Sequence, residues 1–241
     1  FALKIDMDAS GAVRDYRRIC NYETGEITVQ WSDERGAWKR RSFVSRDADV
    51  AVFELQASSA GKLNCAISLQ MPAEMNFPKG LKTKCLHTKD YLNIRVNYAA
   101  PMDTIGYEGG IRVKQKGGSS FLRNDTLYIK DASEILLLSR TQKYPENCGA
   151  EWNKGLLTKG LDAIRANYNG LLKAHKALHT SIYNRVRIDL GATPQERSLS
   201  NEELLEKQKN TDQPVLALWE RIFDAGRYHF LSSGNELTPP D

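Results

Sequence analysis

The sequence lacks any apolar run of the roughly 20 residues that a membrane-spanning helix requires. Runs such as Ile135 to Leu138 have the length of a short strand. The sequence also lacks a strong excess of one charge, because its net charge of +4 is spread over 241 residues. Its densest basic run, Lys39 to Arg41, lies inside an expected strand. These absences argue against a membrane span and against a nucleic acid as the main partner.

Cysteine is scarce, and its spacing fits neither a zinc nor a redox motif. The four cysteines are Cys20, Cys65, Cys85 and Cys148. Cys65 alternates with Leu63 and Ile67 on the expected buried face of a strand, which predicts a packed free thiol. One disulfide among the four stays open, because an even count in an exported protein permits it.

Short segments with the alternation of a β-strand fill the first half of the chain. Ile27, Val29 and Trp31, for example, are expected to face one side of a sheet. Turn sequences such as Thr24-Gly25 and Asn124-Asp125 separate these segments. The expected strands are Tyr16 to Cys20, Glu26 to Trp31, Lys39 to Ser45, Val50 to Ala57, Leu63 to Leu69, Tyr91 to Tyr98, Ile111 to Lys116, Thr126 to Lys130 and Glu134 to Arg140. Since each sheet must cover its apolar face, we predict an antiparallel sandwich of two sheets.

The second half is expected to be helical and to open with one long helix, Leu156 to Gly191. Its apolar residues recur at alternating steps of three and four, which indicates a helix with one buried stripe. They are Leu157, Leu161, Ile164, Tyr168, Leu171, Leu172, Leu178, Ile182 and Val186. A start near Thr158 and a bend near Gly170 are both compatible with this pattern, and Gly191 is expected to end the helix.

His175 and His179 point to one face of that helix and could share a metal ion. Lys176, however, stands where the zinc-peptidase pattern needs a glutamate as general base. No Asp, Glu or Cys between Asn167 and Asn184 could complete a first shell. We therefore predict no metal and no cofactor, and interpret both residues as packing or hydrogen-bonding histidines at the edge of the stripe.

Trp152 is the one large aromatic residue in the polar connection that precedes the helix. An aromatic residue on a loop can serve as a platform for a sugar ring, whose C–H face packs on the π surface. Trp152 is therefore the candidate substrate-binding residue. A tryptophan that seals the interface between the two halves is the alternative, and both interpretations stay open.

The end of the chain is expected to be the start of a larger helical domain. Ser200 and Glu203 have the spacing of a capping box, which predicts a short helix. Pro214 is expected to open another helix that is apolar on much of its circumference and would normally be packed on several sides. Its apolar residues are Val215, Leu218, Trp219, Ile222, Phe223, Tyr228, Phe230 and Leu231. We expect further helices to follow Asp241.

Four segments, in order along the chain, resemble glycoside hydrolase family 95. The residues Trp219 to Asp241, WERIFDAGRYHFLSSGNELTPPD, are similar to the family's FQYGRYLLISSSRPG segment. His175 to Gly191 resembles its linker helix, with His175, Tyr183, Arg185, Val186, Leu190 and Gly191 at matching positions. Tyr16 to Trp31 and Trp38 to Ser45 resemble two strands of its amino-terminal β domain.

The resemblance implies an α+β multidomain enzyme with an antiparallel β-supersandwich, a helical linker and an (α/α)6 barrel. It implies inverting hydrolysis of an α-L-fucoside or α-L-galactoside in an oligosaccharide or glycan. The expected domains are 1–142 for a β-sandwich incomplete at its N-terminus, 143–212 for the linker, and 213–241 for the first helix of the truncated barrel. The catalytic carboxylates are expected after Asp241, so none is assigned in this chain.

Two further expectations concern the whole protein. The chain begins at Phe1, without Met and without a signal peptide, and directly in a strand-like segment. We therefore expect an excised piece of a periplasmic or extracellular protein whose partner is the remaining barrel of the same polypeptide. The alternative class is a non-catalytic carbohydrate-binding or structural β-sandwich, which the lack of a complete catalytic constellation favours.

Overall fold

A computed structural model describes residues 1–7, 10–58, 62–72, 77, 79–101, 106–143 and 156–234. The chain divides into two compact units. The first, which we call the sandwich unit, comprises Phe1–Cys20 and Glu26–His175. The second, which we call the helical unit, comprises Asn21–Gly25 and Lys176–Asp241. The domain boundaries expected at 142 and 212 stay a prediction.

The strands form two sheets, so the predicted sandwich of antiparallel sheets is confirmed. One sheet has the order β1-β6-β11-β10, and the other has the order β2-β3-β4-β5-β12-β9-β8-β7. The described strands are β1 (Ala2–Asp6), β2 (Arg14–Asn21), β3 (Glu26–Asp33), β4 (Gly36–Ser45), β5 (Val50–Ala57), β6 (Leu63–Gln70), β7 (Lys82–His87), β8 (Tyr91–Asn97), β9 (Gly106–Lys116), β10 (Ser119–Arg123), β11 (Thr126–Ala132) and β12 (Glu134–Lys143).

The main core lies between the two sheets, where alternate residues of facing strands meet. Leu63 and Ile67 of β6 are fully buried against residues of the large sheet such as Leu55 and Leu92. Cys65 lies among them with 7% of its surface exposed, so the predicted packed thiol is confirmed. Cys20 and Cys85 are also free thiols, and Cys148 lies outside the described residues.

The large sheet is also apolar on its other face, over which the first helix packs. Phe43 of β4, Val52 of β5 and Leu138 of β12 are buried there against Leu157 and Leu161. This second layer explains why β5 and β12 carry apolar residues on both sides, because strands buried on both faces do not alternate cleanly.

The expected strands omit β1, β7 and β10, although the segment at Phe1 is strand-like in sequence. Every residue of β7 except His87 is exposed, so Lys82–His87 shows no alternation of buried and exposed positions. Strand β10 is short and has no fully buried residue. Strand β7 pairs with β8 through a hairpin, and β10 pairs with β11 in the same way. This pairing, rather than an apolar pattern in the sequence, defines β7 and β10 as strands.

The single helix predicted from Leu156 to Gly191 is wrong, because the chain forms two helices that end well before Gly191. The described helices are α1 (Leu156–Ala163), α2 (Tyr168–Tyr183), α3 (Pro194–Ser198), α4 (Asn201–Lys209) and α5 (Leu216–Ser233).

The break between α1 and α2 has a physical cause at each side. Nη1 of Arg112 donates to the carbonyl oxygens of Leu161 at 2.9 Å and Ile164 at 3.0 Å, which satisfies the end of α1. Oδ1 of Asn167 then accepts from the Gly170 N–H at 2.9 Å, as an N-cap does.

The C-terminus of α2 is set by an arginine from α5, within the helical unit. Nη2 of Arg227 donates to the carbonyl oxygens of Ile182 at 2.8 Å and Tyr183 at 2.9 Å. Arg185 therefore lies beyond the helix. Gly191 is in the following loop with a φ of +86°, a left-handed conformation that suits glycine.

In the helical unit, one predicted helix start is confirmed and one is corrected. The side chain of Ser200 accepts from the Glu203 N–H, and the Glu203 carboxylate accepts from the Ser200 N–H, which is the predicted capping box. Helix α5 begins at Leu216 with Val215 as its N-cap, not at Pro214. Val215 has an extended backbone, and its N–H donates to Oε1 of Gln208 at 2.9 Å. None of the helices in the described ranges is long and apolar enough to cross a membrane.

Candidate functional site

A cavity of about 670 Å³ lies in the sandwich unit, where two hairpins and helix α1 meet. Its wall is formed by residues 85–88 at the end of β7, by Tyr91 and Asn93 of β8, by residues 122–125 of the β10–β11 hairpin, and by Thr158 of α1. We call it the hairpin cavity. Its volume is within the roughly 300–1,000 Å³ range of small-molecule sites.

Local turn chemistry fixes both hairpins. Oγ1 of Thr88 accepts from the backbone N–H of Asp90 at 3.3 Å and of Tyr91 at 3.0 Å, which closes the β7–β8 turn. Asn124 and Asp125 have φ values of 49° and 56°, the left-handed pair that a two-residue type I′ hairpin requires. Asn and Asp tolerate that region better than other side chains, which confirms the turn predicted at this dipeptide.

His87 is held as a neutral ring in the wall of the cavity. Its Nδ1 accepts from the Asn93 backbone N–H at 3.1 Å, so the proton of the neutral ring is on Nε2. Burial lowers the pKa of His87, although the Asp125 carboxylate opposes this shift. Nε2 is shielded from solvent and has no acceptor among the described residues. The ring is therefore fixed in the wall by the hydrogen bond at Nδ1, and its Nε2 is buried.

Asn93 is a buried polar residue of β8 whose side chain lies on the opposite face of the large sheet from His87. Only 6% of its surface is exposed, and its Nδ2 donates to Oε1 of the buried Glu108 at 3.3 Å. Within the described part of the chain, its Oδ1 is buried without a donor. More than nine buried polar groups in ten have a hydrogen-bond partner, so a buried amide oxygen without one is unusual.

Tyr91 connects the cavity wall to helix α1. Its hydroxyl group donates to Asp162, and burial together with this carboxylate raises the pKa of Tyr91 to about 12. Asp162 also pairs with Nε of Arg112 at 3.5 Å, and Arg112 caps the end of α1. The tyrosine ring is thus fixed in position and stays protonated at neutral pH.

The titratable groups of the cavity favour binding over catalysis. Asp125 is the one carboxylate in the described lining, whereas acid–base cleavage of a glycosidic bond uses two. Burial raises the pKa of the Cys85 thiol, and Asp125 raises it further. Cys85 is therefore a thiol at neutral pH rather than a nucleophilic thiolate.

The two histidines of α2 are buried and hydrogen-bonded, which confirms the packing interpretation. Nδ1 of His175 accepts from the Arg46 N–H at 3.2 Å, and Nε2 of His179 donates to the Tyr22 carbonyl oxygen at 2.9 Å. They occupy the buried side of the helix, whereas Leu178, expected in the stripe, is 45% exposed. No cluster of three or more His, Cys, Asp and Glu side chains suited to a metal ion occurs among the described residues.

Trp152, the predicted substrate-binding residue, lies outside the described residues. The hairpin cavity was not predicted, because its wall combines residues from three distant segments. One local signal is visible in hindsight. Asn93 and Arg95 alternate with the apolar residues of β8 yet are buried, and a buried polar pair on a strand marks a polar environment on its second face.

Helix α5 has one buried side and one exposed apolar side. Val215, Ala217 and Leu218 pack with Ala192 and Leu204 in the core of the helical unit. Four large apolar residues of the other side are between 36% and 64% exposed. They are Trp219, Ile222, Phe223 and Phe230. We call them the α5 apolar face. Large apolar residues exposed together on a helix mark an interaction site more often than an ordinary surface.

Comparison with known proteins agrees with this architecture. Residues 2–145 match the model of the glycosyl hydrolase family 65 N-terminal domain. The chain belongs to this family. Residues 167–241 match a second model, the glycosyl hydrolase family 95 catalytic domain, which covers two of the four segments that resemble family 95. The other two segments, Tyr16 to Trp31 and Trp38 to Ser45, lie within the family 65 match instead. The β-sandwich of the family 65 N-terminal domain is thus followed by the start of a glycoside hydrolase helical domain.

A similar solved structure is described as a putative kojibiose phosphorylase from human microbiome. The two are 11% identical with a TM-score of 0.52, and the match covers 75% of this chain. At this identity the likeness shows a shared fold. The match covers 27% of that chain, so this chain spans about a quarter of its length. No curated protein matches the sequence.

Proposed function

We propose that this chain is the β-sandwich and first helices of a longer carbohydrate-active enzyme whose catalytic groups lie in the helical domain. The observation that carries the proposal is the succession of two glycoside hydrolase models along one chain, over residues 2–145 and 167–241. The order is that of a β-sandwich before a helical catalytic domain. The periplasmic or extracellular location expected from the sequence is part of the same proposal.

The exposed side of α5 supports this assignment. Fully burying a large apolar side chain contributes about 1.5–3 kcal/mol, so a helix that leaves Ile222 and Phe230 mostly in water forgoes several kcal/mol. In the proposed enzyme, further helices of the barrel cover the α5 apolar face. The residues that match the family 95 catalytic model include this helix.

The buried carboxylates of the described chain are all committed to structural partners. Asp33 pairs with Arg35, Glu54 with Arg41, and Glu220 with Arg197. Glu108 accepts from Asn93. An inverting glycosidase needs two carboxyl groups about 6.5–9.5 Å apart, one to protonate the leaving oxygen and one to activate water. We therefore assign this chain the support of a catalytic domain rather than the acid and the base.

For the substrate we propose an α-L-fucoside or α-L-galactoside, cleaved with inversion. The support is the match of residues 167–241 to the family 95 catalytic domain, together with the sequence resemblance of Trp219 to Asp241. A second candidate is phosphorolysis of an α-glucoside. The family 65 match and the fold shared with a structure described as a putative kojibiose phosphorylase favour it.

The test uses a polypeptide that contains this chain and the complete helical domain. It is assayed with an aryl α-L-fucoside, an aryl α-L-galactoside and kojibiose, each with and without inorganic phosphate. We expect turnover of an α-L-configured substrate without any need for phosphate. Phosphate-dependent cleavage of kojibiose alone would support the second candidate instead. The 241-residue chain is the matched control, and we expect it to be inactive on all three.

A further inference from the structure

Gly226 lies in the middle of the α5 apolar face. Residues three and four positions apart share one side of a helix. Phe223 precedes Gly226 by three positions, Ile222 precedes it by four, and Phe230 follows it by four. Gly226 is exposed, and a Cβ atom at this position would have no neighbour within 4 Å in the described chain, apart from the adjoining backbone of α5. The described chain therefore leaves open space over this glycine.

Two common reasons for a glycine inside a helix do not apply to Gly226 within the described chain. One reason is a left-handed backbone, as at Gly191, but the φ of Gly226 is not positive. The other is a close neighbour, as at Gly110, where a Cβ atom would lie 2.6 Å from Cδ2 of Leu157. Because glycine destabilises the interior of a helix relative to alanine, Gly226 weakens α5 without a compensating contact in the described chain.

The side chains around Gly226 form a notch in the surface of α5. Phe223 and Phe230 lie about one turn before and after it on the same side, and both are exposed. Packed helices fit the rows of side chains of one helix into the grooves of the other, with their axes about 8–10 Å apart depending on the side chains at the contact. A glycine at the contact point allows the short end of that range. The notch therefore fits an opposing helix that crosses α5 at Gly226.

The chemistry of the surface favours an apolar helix of the same polypeptide as the occupant. Trp219, Ile222, Phe223 and Phe230 carry no charge, so they offer no partner to a charged ligand. The match to the family 95 catalytic domain includes all of α5. In the similar solved structure, most of the chain lies outside the match, because the match covers 27% of it. A longer polypeptide of this kind has further segments that can pack on α5.

We propose that a helix from the residues after Asp241 crosses α5 at Gly226, with its axis about 8 Å from the axis of α5 and its apolar side between Phe223 and Phe230. This inference rests on the proposed function, because it requires the longer polypeptide. It adds the point of closest approach, which determines how α5 is held in the helical domain.

The test compares Gly226→Ala in the 241-residue chain and in the polypeptide with the complete helical domain. Hydrogen exchange of the α5 amides measures the opening of this helix in both forms. In the 241-residue chain, exchange should slow about two- to fivefold, which is the preference for alanine over glycine inside a helix. In the longer polypeptide, exchange should instead accelerate about fivefold or more, because the added methyl group overpacks the contact.

The matched control is Gly160→Ala in α1, where a Cβ atom would lie 3.4 Å from Nη1 of Arg140, an ordinary contact. It should slow exchange of the α1 amides in both forms and leave those of α5 unchanged. A second measurement needs no substitution. Labelling of Phe230 by hydroxyl radicals should fall several-fold from the 241-residue chain to the longer polypeptide, so the proposal stays testable if Gly226→Ala does not fold.

Three results would overturn the proposal. The first is slower α5 exchange in Gly226→Ala of the longer polypeptide, and the second is equal labelling of Phe230 in the two forms. The third is faster exchange in Gly226→Ala of the 241-residue chain that grows with concentration, because the occupant would then be a second copy. The glycosidase assays test the proposed function separately. An inactive polypeptide in which Gly226→Ala still accelerates exchange would contradict that function and leave the contact standing.

Discussion

Arg197 and Glu220 form a two-point ion pair in the helical unit. Nε of Arg197 donates to Oε2 of Glu220 at 2.8 Å, and Nη2 donates to Oε1 at 2.9 Å. The same carboxylate accepts from the backbone N–H of Leu190 at 2.8 Å and of Ala192 at 3.4 Å. A glutamate of α5 thus holds the loop that follows α2, and its side chain is nearly buried.

The first prediction concerns the strength of this anchor. Glu220→Gln keeps the shape of the side chain but removes its charge, and hydrogen bonds to charged groups contribute about 1.5–3 kcal/mol. We expect the free energy of unfolding in urea to fall by roughly that amount. Hydrogen exchange at the Leu190 and Ala192 amides should accelerate. Glu202→Gln, at an exposed position of α4, is the control and should cost less than about 1 kcal/mol.

The second prediction is the pH dependence of the same anchor. Hydrogen bonds from Arg197 lower the pKa of Glu220 from 4.5 to about 2. A carboxylate whose pKa is lower in the folded state stabilises the protein above its unfolded pKa and loses this effect as the pH falls through the folded value. The difference in unfolding free energy between the unaltered chain and Glu220→Gln should therefore be constant above about pH 4.5 and shrink towards pH 2. A difference that stays constant down to pH 2 would contradict the assignment.

The third prediction concerns a buried ion pair of the sandwich unit. Nε of Arg41 donates to Oε2 of Glu54 at 2.9 Å, and the guanidinium lies 4.1 Å from the centre of the Tyr168 ring. Arg41→Met leaves the Glu54 carboxylate buried without its partner and should cost about 3–5 kcal/mol in chemical denaturation. Adding Glu54→Leu should recover most of this loss, because the uncompensated charge is then gone.

The control for that cycle is Arg40→Met, the next residue on β4, whose side chain is exposed. It should change the free energy of unfolding by no more than about 0.5 kcal/mol. If the double variant were less stable than Arg41→Met alone, the explanation by a stranded charge would be wrong.

The fourth prediction separates the two sides of α5. Phe230 is 64% exposed and Ile222 is 56% exposed, so Phe230→Gln and Ile222→Gln should each change the stability of this chain by less than about 1 kcal/mol. Leu218→Ala, on the buried side of the same helix, should cost at least about 2 kcal/mol. In a polypeptide with the complete helical domain, the two glutamine variants should instead become destabilising. Equal effects in the short and long forms would show that the α5 apolar face stays exposed.

The sequence predicted the elements that local chemistry determines. Strand β5 has the expected bounds, Val50–Ala57, because turn residues flank a short run that is rich in apolar residues. The capping box at Ser200 and Glu203 is a contact between residues three apart, so spacing alone identifies it. The break between α1 and α2 could not be predicted in this way. It depends on Arg112, which lies far away in the sequence and contacts the end of α1 only in the folded chain.

The site was harder to predict than the fold for the same reason. His87 and Asn93 meet across a hairpin whose first strand is exposed and shows no periodicity. The buried side of α2 contains Tyr168, His175, His179 and Tyr183. A buried stripe assigned from aliphatic residues alone is therefore wrong for the part of the helix beyond Leu172. Aromatic and histidine side chains can occupy the buried side of a helix when their polar atoms have hydrogen-bond partners.

The most direct test of the central proposal is the anomeric form of the first product. The polypeptide with the complete helical domain is mixed with an aryl α-L-fucoside, and the proton NMR spectrum is followed before mutarotation. Inversion predicts that β-L-fucose is the first product and that the 241-residue chain alone releases none. Release of fucose by the 241-residue chain, or α-L-fucose as the first product of the longer polypeptide, would contradict the account.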